Sequence, residues 1–110
     1  MTPHAMSPNE VLFWKLADGM IDAGQATRGT MMGFPCLRVE GRFFASVERG
    51  SGNLIVKLPE ARVGELIDGG VGKPFAPAGR TFREWVLLDE PDEEGWKARL
   101  AEARAFVAAS

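Results

Sequence analysis

Between Arg28 and Leu58 short runs of strand-favouring residues alternate with tight turns, and that spacing decides what the chain can fold into. The runs are Met31-Met32-Gly33, Leu37 with Val39, Phe43-Phe44-Ala45, and Asn53-Leu54-Ile55-Val56-Lys57-Leu58. Parallel neighbours need a crossover of a dozen or more residues, and none of these gaps supplies one. The segment therefore reads as an antiparallel meander, turning at Glu40-Gly41-Arg42 and at Arg49-Gly50-Ser51-Gly52.

In the last run Leu54, Val56 and Leu58 form one wholly apolar face, while Ile55 and Lys57 form a mixed one. The first hairpin admits two registers. A two-residue turn at Glu40-Gly41 puts Leu37 and Val39 on the face of Phe44, whereas a three-residue turn matches Val39 to Phe43 and Leu37 to Ala45. The second keeps apolar opposite apolar and is the favoured reading. It leaves Phe44 on the mixed face beside Ile55 and Lys57.

Helices flank the meander. Ser7 as N-cap, Pro8 at the first helical position and Glu10 placed to close a capping box predict a helix from there to about Asp22, with Gly24 as terminator. Its apolar residues, Val11 to Trp14, Leu16, Ala17, Met20 and Ile21, cover more than one stripe, which implies contact on two sides. Pro59 ends the third strand and opens a short helix over 60–68, with Val63, Leu66 and Ile67 inward. The stretch 71–80 reads as a loop or a short irregular strand around Phe75. A further strand, Phe82 to Leu88, carries Phe82, Val86 and Leu88 on one face and Arg83, Trp85 and Leu87 on the other. Pro91 then opens the last helix, capped by Asp89 or Glu90, with Trp96, Leu100, Ala103 and Val107 as its inward stripe to near Ala109.

The order α-β-β-β-α-β-(β)-α predicts the α+β class, with helices packed on an antiparallel sheet of about five strands. The 110 residues make one domain, 7–110, after a leader, 1–6, that reads as disordered. Too few strands are present to close a barrel, so one sheet face is left open or is covered by a second copy.

Composition narrows the classes of function. A formal net charge of -2 gives no overall basic field to draw polyanions, so nucleic-acid binding has to rest on a local patch. Cys36 is the only cysteine, which excludes a disulfide scaffold and fits a reducing cytoplasm. No export signal and no membrane-spanning window is present.

The run Gly29-Thr30-Met31-Met32-Gly33, with Leu37 to Ala45 and Asn53 to Leu58, resembles the N-terminal domain of the TfoX competence regulators. Gly72-Lys73-Pro74-Phe75 and the last helix extend the likeness, and Trp85-Val86 after a loop is closer to the YjbR (MmcQ-like) family. The resemblance covers Val11 to Ala109. It implies a secretion-chaperone-like fold, frequent pairing, and no catalytic residue to carry over. TfoX regulators continue into a second domain and are often tyrosine-rich in the last strand; this chain stops at Ser110 and has no tyrosine.

Candidate chemistry is sparse. His4, the only histidine, sits in the leader, where neither a metal site nor acid–base work is expected of it. Cys36 shares a strand face with Arg38, which could lower its pKa, but it has no histidine partner and is read as structural. Asp89, Glu90, Asp92, Glu93 and Glu94 read as compensation of a helix dipole, since no glycine-turned loop gathers them around a cation. Gly69-Gly70-Val71-Gly72-Lys73 lacks the spacing and hydroxyl residue of a phosphate loop. No metal, cofactor or enzymatic activity is expected.

The cations are informative by place. Between Arg28 and Lys57 five cations face two carboxylates, while the last helix start is acidic. A face bearing Phe44, Ile55, Lys57, Arg83 and Trp85 would mix aromatic surface with positive charge. It is the candidate binding or dimer face of a small non-enzymatic interaction module, expected to be a homodimer or to meet a partner protein. The alternative is a regulatory nucleic-acid binder.

Overall fold

Three local signals meet at Ser7. In the computed structural model, which describes residues 7–31, 33–48 and 50–110, its hydroxyl accepts the Glu10 N–H at 3.2 Å, while the Ser7 N–H donates to the Glu10 carboxylate at 3.3 Å. Helix α1, Pro8–Asp22, starts there and gives way to Gly24 at φ +74°. The leader, Met32 of the first run and Arg49 of the second turn lie outside the described residues.

The strands that follow are β1 (Thr27–Met31), β2 (Phe34–Val39), β3 (Arg42–Val47) and β4 (Leu54–Lys57), then helix α2 (Glu60–Asp68), the two-residue β5 (Lys73–Pro74), β6 (Trp85–Leu88) and helix α3 (Glu93–Ala108). They form one antiparallel sheet of six strands in the order β1-β2-β3-β4-β6-β5. The protein is α+β, with one strand more than expected.

The hairpin between β2 and β3 combines both registers read from the sequence. Glu40 and Gly41 both have positive φ, 51° and 79°, which is the two-residue turn that suits the twist of a hairpin. Val39 therefore opposes Arg42, and Arg38 opposes Phe43, so the expected match of Val39 to Phe43 does not form. A β-bulge then restores Leu37 opposite Ala45. The extra residue on β3 is Phe44.

That bulge overturns one assignment. Phe44 is fully buried and belongs to the main core with Leu37, Val39 and Ala45, not to the mixed face. The cause is a conflict between neighbours: the turn sets Val39 against Arg42, while β4 sets Val56 against Ala45 and Leu54 against Val47. An inserted residue lets Phe44, Ala45 and Val47 all face inward. Phe43, one residue earlier, is left on the other side.

All three helices cover the same sheet face. Phe13 and Ala17 of α1, Val63 and Leu66 of α2, and Trp96, Leu100, Ala103 and Val107 of α3 share one cluster with Ala45, Val47, Leu54, Val56, Val86 and Leu88. Buried Cys36 and Ile55, on the opposite face, are not part of it. Arg62 of α2 meets Glu102 of α3 at 2.7 Å, which ties two helices across the top of this layer.

Two boundaries differ from the sequence reading. The last strand begins at Trp85, because the Trp85 N–H bonds the Phe82 carbonyl at 3.2 Å and closes a turn. Phe82 is consequently 37% exposed and stacks near Phe75 instead of entering the core. Helix α3 begins at Glu93 with Asp92 as its cap, neither at Pro91 nor capped by Asp89 or Glu90. The Glu90 carbonyl accepts the Trp96 indole N–H at 2.9 Å, which holds that segment outside the helix.

Candidate docking face

The sheet face that carries no helix is organised by cross-strand register. Cys36 opposes Ser46, Ser46 opposes Ile55, and Ile55 opposes Leu87, making a row of short or apolar side chains. Beside it Arg38 opposes Phe43 and Lys57 opposes Trp85, with Phe43 and Lys57 on adjacent strands. The second row thus reads cation, aromatic, cation, aromatic.

Its members are half-buried. Phe43, Lys57 and Trp85 line, with Arg42 and with Val107 and Ser110 at the end of α3, a cavity of about 310 Å³ at the hairpin end of the sheet. Arg38 lies flat, its guanidinium carbon 5.6 Å from the Phe43 ring centre and its Nε buried without a hydrogen bond. It can lie so low because residue 29 has no side chain: a Cβ on Gly29 would sit 2.6 Å from the Arg38 Nε. The backbone of β1 is the bed for that arginine.

Among the described residues no ion pair neutralises the cations of this face. The ion pairs among the described residues engage Lys15, Arg62, Lys73 and Arg99, and none of them takes Arg38, Arg42, Lys57 or Arg83. Around the start of α3 two carboxylates are paired, Asp89 with Lys73 and Glu93 with Lys15, while Asp92 takes the N-cap position without a side-chain hydrogen bond to the helix. Asp89 is held below the ordinary carboxylate range by the hydrogen bond from Lys73, and Lys73 is raised by the same bond.

Of the residues singled out from sequence, Lys57 and Trp85 sit directly opposite each other on this face. Ile55 lies there too, but at 5% exposure it is floor, not contact surface. Arg83 is exposed in the turn before β6 and shares a second cavity, of about 270 Å³, with Trp85, Phe82 and Glu60. Phe44 is absent from the face. Phe43 and Arg38 take its place, and the doublet Phe43-Phe44 gave no local sign of which ring would turn outward.

Cys36 has no nucleophilic setting. Its side chain is fully buried, and burial pushes the thiol pKa up, outweighing the charge of Arg38 and the hydrogen bond with the Gly29 backbone. Among the described residues no helix is long and apolar enough to cross a membrane, and no cluster of three or more His, Cys, Asp or Glu could hold a metal ion. No family model matches the chain, and no curated protein or solved structure matches it either.

Proposed function

We propose that this protein is a small non-enzymatic binding module of the cytoplasm, working as a homodimer and offering the helix-free sheet face to a partner. The observation that carries the reading is the row Arg38, Phe43, Lys57 and Trp85, in which unpaired cations alternate with half-buried aromatic rings. Aromatic and arginine side chains are enriched at the centres of protein interfaces, where a few of them carry most of the binding energy. The likeness to TfoX N-terminal and YjbR-like domains, which offer no catalytic residue, points the same way.

The test separates docking from folding. Trp85→Ala removes a ring outside the main core and should lower unfolding free energy by no more than about 1.5 kcal/mol, whereas Trp96→Ala opens the core and should cost about 3–5 kcal/mol. Equal losses in the two variants would make Trp85 a structural residue and end the docking reading. Light scattering of the wild-type chain should give twice the monomer mass.

The same row supports a second reading, binding of single-stranded nucleic acid, in which rings stack on bases and cations follow phosphates. A short oligothymidine titrated at low salt would then bind with an affinity that falls as salt rises, and Lys57→Ala would flatten that slope by about one ion. Absence of binding at low salt removes this reading and leaves a protein partner.

A further inference from the structure

The two edges of the sheet are built differently. At one edge β5 is only two residues long, Pro74 has no N–H to offer, and Lys73 is held by Asp89. At the other edge β1 pairs with β2 along all five residues, Thr27 to Met31, and its outer side receives no backbone hydrogen bond among the described residues. Thr27, Arg28 and Thr30 are exposed.

Edges of that length are usually blunted by proline, lysine, a bulge or a covering element, because an open row of amides and carbonyls recruits another strand. β1 holds no proline, lysine or bulge, and no backbone hydrogen bond covers its outer side among the described residues. Its single charge, Arg28, is drawn back over the Trp14 ring at 4.0 Å and does not stand across the edge.

We infer that β1 pairs antiparallel with β1 of a second copy about a twofold axis at Gly29, joining two six-stranded sheets into one. This rests on the homodimer reading above and names its interface. In that register every residue of β1 pairs: Thr27 with Met31 of the second copy, Arg28 with Thr30, and Gly29 with Gly29. Sliding the partner so that the axis falls on Arg28 would set the two arginines against each other, which is unfavourable. A twofold axis between antiparallel strands stands perpendicular to the sheet, so both sets of helices lie on one side. The two rows of Arg38, Phe43, Lys57 and Trp85 then share a single continuous surface.

Charge substitution at Thr30 tests this, because the residue is exposed and either variant should fold. Thr30→Glu sets a carboxylate against Arg28 of the second copy twice per dimer and should tighten dimerisation about 2- to 30-fold, while Thr30→Arg should weaken it by a similar factor. Both constants are read by sedimentation equilibrium, with circular dichroism confirming the fold. Thr30→Pro, which removes an edge N–H, should abolish the dimer while the amides of β3 and β4 keep their protection from hydrogen exchange. A dimer whose constant is the same in the Glu and Arg variants overturns the β1 interface and leaves the homodimer standing. A wild-type chain that is monomeric at high micromolar concentration overturns both.

Discussion

Truncating Phe44 and Phe43 in turn probes the β-bulge, on which the division between core and docking face depends. Phe44 is fully buried among Leu37, Ala45 and the residues beneath α3, whereas Phe43 is half-buried on the helix-free face. Removing the Phe44 ring forfeits about 1.5–3 kcal/mol of transfer free energy. It also leaves a cavity on the order of 100 Å³, which at about 24 cal/mol per Å³ adds up to roughly 2.4 kcal/mol if nothing collapses into it. Partial relaxation places Phe44→Ala at about 3–5 kcal/mol. Phe43→Ala loses partly solvated area and its contact with Arg38, about 0.5–1.5 kcal/mol. With a urea m-value of about 2 kcal/mol per M, the midpoints should fall by roughly 2 M and 0.5 M respectively. Regular alternation from Ala45 without the bulge would reverse the ranking. A larger loss for Phe43→Ala than for Phe44→Ala would therefore refute the register and return Phe44 to the outer face.

Two further expectations rest on other parts of the molecule. A Cβ at Gly72 would lie 2.5 Å from the Val86 Cγ2 and press on Leu66, so Gly72→Ala should destabilise by about 1–3 kcal/mol. Gly64, mid-way along α2 with open space around it, is the matched control: Gly64→Ala should stabilise by about 0.5–1 kcal/mol, both changes being read by thermal unfolding. The Lys73–Asp89 pair makes stability depend on pH with a definite sign. Because the folded carboxyl pKa of Asp89 is depressed, the pair's contribution is complete above the ordinary carboxylate value of about 4 and disappears as pH falls through the lowered one. Lys73→Met should move the Asp89 titration back up when followed by carbonyl-carbon NMR; an unmoved titration would deny the pair its role.

The starts of α1 and α2 and the strand alternation were legible in the sequence because their causes are local. Ser7, Pro8 and Glu10 lie within one turn of each other, and the bounds of α2 follow from Pro59 and the Gly69-Gly70 pair. Lys57 and Trp85 were placed on a common face by the two-residue period of their own strands. The misassigned features have non-local causes. Whether β3 carries a bulge depends on reconciling a turn on one side with β4 on the other, and no window of sequence contains both demands. The late start of α3 depends on an indole six residues away reaching back to the Glu90 carbonyl. Arg38 could be placed beside Cys36 from alternation alone, but its flat course over Gly29 needed the pairing of β1 with β2.

The bulge also decides which of two identical rings the outer face carries. Two adjacent phenylalanines on a regular strand must point to opposite sides, so either register commits one ring to each face. By giving Phe44 and Ala45 the same direction, the insertion adds the Phe44 ring to the core beside Ala45 and sets Phe43 between Arg38 and Lys57. Of the apolar residues in the neighbouring row, Cys36 and Ile55 are buried and Leu87 is half-buried, so among the described residues that row adds little exposed apolar surface to drive face-to-face collapse. What such a face can hold is a partner that brings negative charge to the cations and flat or apolar groups to the rings. The proposed β1–β1 pairing would use the sheet edge and not this face, so the two surfaces would not compete.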